Sequence, residues 1–137
     1  MQRTAEIHRA VYEAVQSRDF DRLREIYHLD CRYSTGDGVE QRGVDAVLAS
    51  VESFTSAFPD LAIEVRHQHL PDESISIVEY TFSGTHEGEL EGIPATGRRM
   101  AVVACSVAEI RDGRILVERD YYDTLALMSQ LGVADPG

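Results

Sequence analysis

A chain of 137 residues with 43% hydrophobic residues holds enough apolar mass for one core, and too much for a disordered polypeptide. Its formal charge of -11 (24 acidic against 13 basic residues) opposes phosphate backbones and anionic bilayers, and Lys/Arg runs are absent, so no nucleic acid and no membrane partner is expected. No apolar run approaches the ~20 residues of a membrane span, and Met1 to Ala10 is too polar for a secretory signal, which leaves a single-domain cytoplasmic protein as the expectation.

The first predicted element is a helix over 3–17, with Ile7, Ala10, Val11, Ala14 and Val15 in one stripe. Asp19 is placed to cap a short second helix whose Phe20, Leu23, Ile26 and Tyr27 share a face. Leu29 to Ser34 reads as a strand, and Thr35-Gly36-Asp37-Gly38 as a loop. A third helix starts near Gly43, points Val44, Val47, Leu48, Val51, Phe54 and Phe58 inward, and stops at Pro59.

From Leu61 the apolar period becomes two. Leu61, Ile63, Val65, His67 and His69 alternate with polar residues, as in a half-buried strand. A second strand runs from Ile75 to Ser83 and on toward Leu90, with bulging expected at Gly84 and Gly88. Arg99 to Arg111 is apolar on both faces in its middle and should be central. Asp112-Gly113 is a strong hairpin turn leading into Ile115 to Asp123, after which Asp123 can cap a short helix carrying Leu125, Leu127 and Met128. The tail from Gly132 is expected to fray. Three helices followed by a four-strand antiparallel meander define an α+β domain, its curved sheet covered by the N-terminal helices and enclosing a conical pocket.

The best catalytic candidate is Asp120 on the final strand. A two-residue Asp112-Gly113 turn pairs Arg111 with Arg114, and counting outward sets Cys105 opposite Asp120, Val103 opposite Tyr122 and Val107 opposite Glu118. Asp120 would then stand between apolar residues and beside a tyrosine, where desolvation raises a carboxyl pKa toward the range useful for proton transfer. The bland alternatives are an ion pair with an arginine or an exposed edge position. Asp123 is explained as a helix cap, and Glu118, nearer the turn, as a solvated side chain.

Substrate-contact candidates are His67 and His69 on the apolar face, Phe54 and Phe58 on the third helix, and Cys105, Tyr33 and Tyr122. His86 joins them at the expected bulge, where it could equally bond the backbone. Tyr12 and Tyr27, like Tyr33 and Tyr122, could offer hydroxyls to a carbonyl oxygen, core packing being the simpler reading of each. Cys31 and Cys105 lack CxxC spacing, and the His67-x-His69 pair lacks further ligands. No metal or organic cofactor is expected.

The blocks F-P-D-L (58–61), T-F-S-G-T-H-E-G-E-L-E-G-I-P-A-T-G-R (81–98), R-D-G-R-I (111–115), E-R-D-Y-Y-D (118–123) and L-M-S-Q-L-G (127–132) resemble the SnoaL-like polyketide cyclases of the nuclear transport factor two-like superfamily. The resemblance implies a cone-shaped α+β barrel, often a homodimer packed through the sheet. It also implies a last-strand acid that drives an intramolecular aldol closure of a small apolar carbonyl or polyketide-like substrate, and Asp120 matches that position. Two departures stand out. The cyclases pair their acid with a histidine, where the adjoining strand here has Cys105 and Ser106. Limonene-epoxide-hydrolase-like relatives use Arg-x-Asp on the middle strand, where this chain has Glu79-Tyr80-Thr81. An epoxide hydrolase-like enzyme and a non-catalytic binding protein of the same fold stand as alternatives.

Overall fold

The computed structural model describes residues 2–134. Helix α1, Gln2–Ser17, buries Thr4, His8, Val11, Tyr12 and Ala14, so its inward face mixes apolar and polar residues at helical spacing. Asp19 caps α2, Phe20–Ile26, by accepting from the Arg22 amide. Tyr27, expected on that helix's face, instead opens strand β1, Tyr27–Ser34. A two-residue strand β2, Gln41–Arg42, pairs with β1 before helix α3, Val44–Ala57. Strands β3, Ala62–His69, β4, Ile75–Thr85, β5, Arg99–Arg111, and β6, Arg114–Tyr122, follow in succession. Asp123 then caps helix α4, Thr124–Gln130, by accepting from the Ala126 amide. The amides of Gly132 and Val133 bond back to Ser129 and Met128 and close α4. The remainder of the tail expected to fray, 135–137, lies outside the described residues.

The six strands form one curved, unclosed sheet in the order β2-β1-β6-β5-β4-β3. The meander β3 to β6 is antiparallel as predicted, giving an α+β architecture. Beside it, β1 lies parallel to β6, a pairing between segments more than eighty residues apart that no local signal announces.

Two bulges decide which side chains face inward. The hairpin turn is as predicted: Asp112 and Gly113 take positive φ (55° and 76°), and Arg111 pairs with Arg114. Beyond it the expected register fails. Ile110 pairs with Ile115 but Glu109 with Val117, leaving Leu116 unpaired. Asp120 therefore stands opposite Ser106 rather than Cys105, Tyr122 opposite Ala104 rather than Val103, and Glu118 opposite Ala108 rather than Val107. In β3, Val65 pairs with Tyr80 but His67 with Glu79, so Arg66 is the extra residue. The bulge expected at Gly84 is absent, since β4 and β5 pair without interruption to Thr85–Arg99, and β4 ends there, short of Gly88 and Leu90. Glycine serves close packing there: a Cβ on Gly88 would sit 2.4 Å from the Ser56 carbonyl oxygen.

The inner sheet face packs beneath α1 and α3. One cluster gathers Phe58, Leu61, Val78, Tyr80, Phe82 and Met100. A second, around Leu23, Tyr27, Val47 and Ile115, joins the α1–α2 pair to β1 and β6. The outer face of β5 and β6 is open, with Val103 71% exposed and Tyr121 47% exposed. Among the described residues, no helix is long and apolar enough to cross a membrane.

Candidate active site

Between α1, α3 and the inner sheet face lies a cavity of about 250 Å³. Two carboxyl groups sit in its floor. Glu118 and Asp120 alternate with outward residues on β6, so both point inward, and they are 4% and 8% exposed. In an unbulged ladder both would face the other way, because Asp120 would pair with the outward-facing Cys105. Leu116 supplies the one-residue offset that brings them in.

Each carboxyl has a different set of neighbours. Tyr27, buried at the start of β1, donates its hydroxyl proton to Glu118 Oε1. Burial drives the Glu118 pKa well above the carboxylate range, and the Asp120 charge adds to the shift. Asp120 is also raised by burial, with hydrogen bonding from Glu118, Ser106 and Tyr33 pulling the other way. Like charges in one dry site oppose each other, so Glu118, the more strongly raised, takes the proton first and Asp120 is the group left to ionise. Asp120 Oδ1 is buried without a hydrogen-bond partner, the mark of an oxygen kept for another group.

The walls are aromatic. Tyr12 packs against Tyr80 with ring centroids 4.8 Å apart, and Phe82 meets Tyr122 edge-on at 5.4 Å. Tyr12, Tyr33 and Tyr122 line the cavity, and desolvation raises all three phenols above their ordinary pKa, holding them as neutral donors. Among the described residues lining this cavity there is no arginine, lysine or histidine.

Of the residues singled out from sequence, Asp120, Tyr122, Tyr33 and Phe54 come together around the cavity. Phe58 is fully buried behind it, its ring tilted against those of Phe54 and His86. His86 holds the loop after β4: its Nδ1 lies 3.0 Å from Thr96 Oγ1 and accepts from the Thr96 amide. Cys105 faces the outer side of the sheet, because Ser106 takes the inward position. His67 and His69 are exposed, because the Arg66 bulge reverses the alternation after Val65 and turns Gln68 inward instead. His69 bonds Glu79 across the outer surface at 2.6 Å.

The sequence marks Glu118 as solvated by its nearness to the turn, yet its i, i+2 relation to Asp120 puts both on one face. His8 is a further buried residue absent from the sequence-based candidates. It is fully buried, with Nδ1 2.7 Å from Ser76 Oγ and Nε2 3.0 Å from Ser106 Oγ. The spacing His8, Val11, Tyr12, Val15 carried that signal. No group of three or more potential metal ligands occurs among the described residues.

A buried carboxyl pair under a phenol-lined cavity, on a curved sheet wrapped by helices, defines a small-molecule site suited to proton transfer. A family model for SnoaL-like polyketide cyclases matches residues 5–131, and the chain belongs to that family. It is 30% identical over 128 residues to the aklanonic acid methyl ester cyclase DnrD of Streptomyces peucetius, covering 90% of this chain and 87% of that protein. In structure it is similar to a protein from Jannaschia sp. CCS1 described as a SnoaL-like polyketide cyclase (TM-score 0.90, 20% identity, 98% and 94% of the two chains). The fold is also shared with a limonene-epoxide-hydrolase-like enzyme of M. tuberculosis (TM-score 0.76, 20% identity, 96% and 90%).

Proposed function

We propose that the protein is an enzyme that closes a ring by aldol-type acid/base chemistry on a neutral, largely apolar carbonyl compound of the polyketide type. The observation that carries this reading is the pair of buried carboxyls, Glu118 and Asp120, side by side at the floor of the cavity. The Asp120 carboxylate takes an acidic proton from a carbon between carbonyls, and the resulting enolate attacks a second carbonyl. Protonated Asp120 returns the proton to the new alkoxide. Glu118, held as the acid by burial and by Asp120, keeps the neighbouring charge in place. The phenols of Tyr12, Tyr33 and Tyr122 are the donors available to the enolate oxygen. A cavity without basic residues favours a ligand with no strong negative charge, as an ester has.

The kinship with a methyl ester cyclase supports this substrate class. The epoxide hydrolase reading draws support from the second carboxylate. It lacks the arginine it needs, because Arg119 points outward and pairs with Glu109 at 2.8 Å. The test is turnover of aklanonic acid methyl ester or a similar aromatic polyketide ester. Asp120→Asn should retain the fold and lose ~10²–10⁴-fold in rate. Undiminished turnover in that variant rules out Asp120 as the base.

A further inference from the structure

A chain of hydrogen bonds runs from the surface to Ser106, which stands across the β5–β6 pair from Asp120, and its direction follows bond by bond. Arg9 Nε donates to Gln68 Oε1 at 2.6 Å. Arginine carries only donors, so the Gln68 oxygen must face outward and its nitrogen inward. Gln68 Nε2 accordingly donates to the Ala5 carbonyl at 3.1 Å and to Ser76 Oγ at 3.0 Å. Of the two partners of Ser76 Oγ, the Gln68 nitrogen can only donate, so the hydroxyl hydrogen goes to His8 Nδ1 at 2.7 Å. Burial holds the imidazole neutral, lowering its pKa to about 4. A neutral ring accepting at Nδ1 carries its proton on Nε2, which faces Ser106 Oγ at 3.0 Å and the Tyr12 hydroxyl at 3.3 Å. Ser106 thus receives a hydrogen and has its own to give. The strongest acceptor beside it is the Asp120 carboxylate, directly across the β5–β6 pair.

We propose that Gln68, Ser76, His8 and Ser106 form a polarised relay that delivers the Ser106 hydroxyl proton to Asp120. His8 and Ser106 are then positioning residues: Ser106 stands beside the base, His8 acts through Ser106, and neither lines the cavity. This deepens the reading of Asp120 as the reactive carboxylate and rests on it. It also accounts for the missing histidine on β5, since α1 supplies one from behind. The other titratable groups around Asp120 are Glu118, Tyr12, Tyr27, Tyr33, Tyr80 and Tyr122, and all are neutral when Asp120 is charged. Ser106 is the neighbour whose donor direction a remote residue controls.

The relay can be reversed from its outer end. In Gln68→Glu, the new carboxylate accepts the Ser76 hydrogen, Ser76 Oγ accepts from Nδ1–H, and Nε2 draws the Ser106 hydrogen away from Asp120. The experiment is NMR on the substrate-free full chain, using imidazole ¹⁵N shifts for the tautomer and the Asp120 carboxyl ¹³C shift for its titration. The wild-type protein should show the Nε2–H tautomer. Q68E should show Nδ1–H and an Asp120 midpoint raised by about one pH unit, the worth of one lost hydrogen bond. Ser106→Ala should raise the midpoint equally and leave the tautomer unchanged, which altered packing alone would not produce. An Nδ1–H tautomer in the wild-type protein overturns the proposal. So does an Asp120 midpoint unmoved by S106A. Because no substrate is involved, a failed relay is distinguishable from a failed function: turnover bears on the second alone.

Discussion

Strands β3 and β6 use the same device to opposite ends. Each carries one extra residue, Arg66 in β3 and Leu116 in β6, and each reverses its inward face at that point. In β3 the reversal sends His67 and His69 to the outer surface and brings in Gln68, a neutral amide whose donors and acceptor are all bonded. In β6 it brings in two ionisable carboxyls, one with an oxygen left unpartnered. Equal backbone events therefore produce a fully bonded amide in one strand and a buried carboxyl pair facing the cavity in the other. The difference lies in what the neighbouring elements offer: Tyr27, Tyr33 and Ser106 hold a partly charged pair, whereas α1 presents to β3 a backbone carbonyl and an arginine.

The sharpest way to break this contrast is to shift β6 by one residue on either side of Glu118. Deleting Leu116 removes only the unpaired residue, leaves a regular ladder, and should preserve turnover. Deleting Arg119 leaves only one of the two carboxyls able to face inward, and should cost ~10²–10⁴-fold in rate, read by steady-state kinetics beside a circular dichroism check of the fold. Equal rates in the two deletions would remove the register from the explanation.

Next in size is the acid limb of stability. The His8 pKa lies below its unfolded value, so the unfolded chain binds the extra proton. Stability is therefore lost as pH falls from 6.5 toward 4, by about 3 kcal/mol in all. Denaturant titrations across that range should show a steeper loss in the wild-type protein than in His8→Gln.

Glu118 has the opposite sign. Its folded pKa is raised, so its contribution is fully present below the unfolded value and is lost as pH rises through the folded one. Glu118→Gln should flatten the fall in melting temperature from mildly acidic to alkaline pH, at the expense of turnover. A fall as steep as in the wild-type protein would mean that the carboxyl is not held protonated. The smallest effect belongs to β3: His69→Asn, on the outer surface, should leave both rate and melting temperature unchanged within error. A rate loss there would place the outer sheet face in the chemistry.

Local signals were legible because they act within a few residues. Asp19 and Asp123 as helix caps, the Asp112-Gly113 turn, the stop at Pro59 and the β5 limits all follow from chemistry carried by the segment itself. Asp120 was legible too, although the register used to place it was off by one. Counting from the turn set it opposite Cys105, and the assumption that Cys105 faces inward cancelled the omission of the bulge. Its partners were not legible. Glu118 looked solvated because nothing local marks Leu116 as unpaired.

The sequence by itself determined the elements, the α+β class, the family and Asp120 as the candidate acid, since periodicity, caps and motif residues are properties of short segments. Only the tertiary structure decided which face of β6 is buried, that Glu118 lies buried beside Asp120, and that His8 bonds Ser106 from 98 residues away. Those outcomes depend on one unpaired residue and on where α1 lies across the sheet, and both are set by long-range packing.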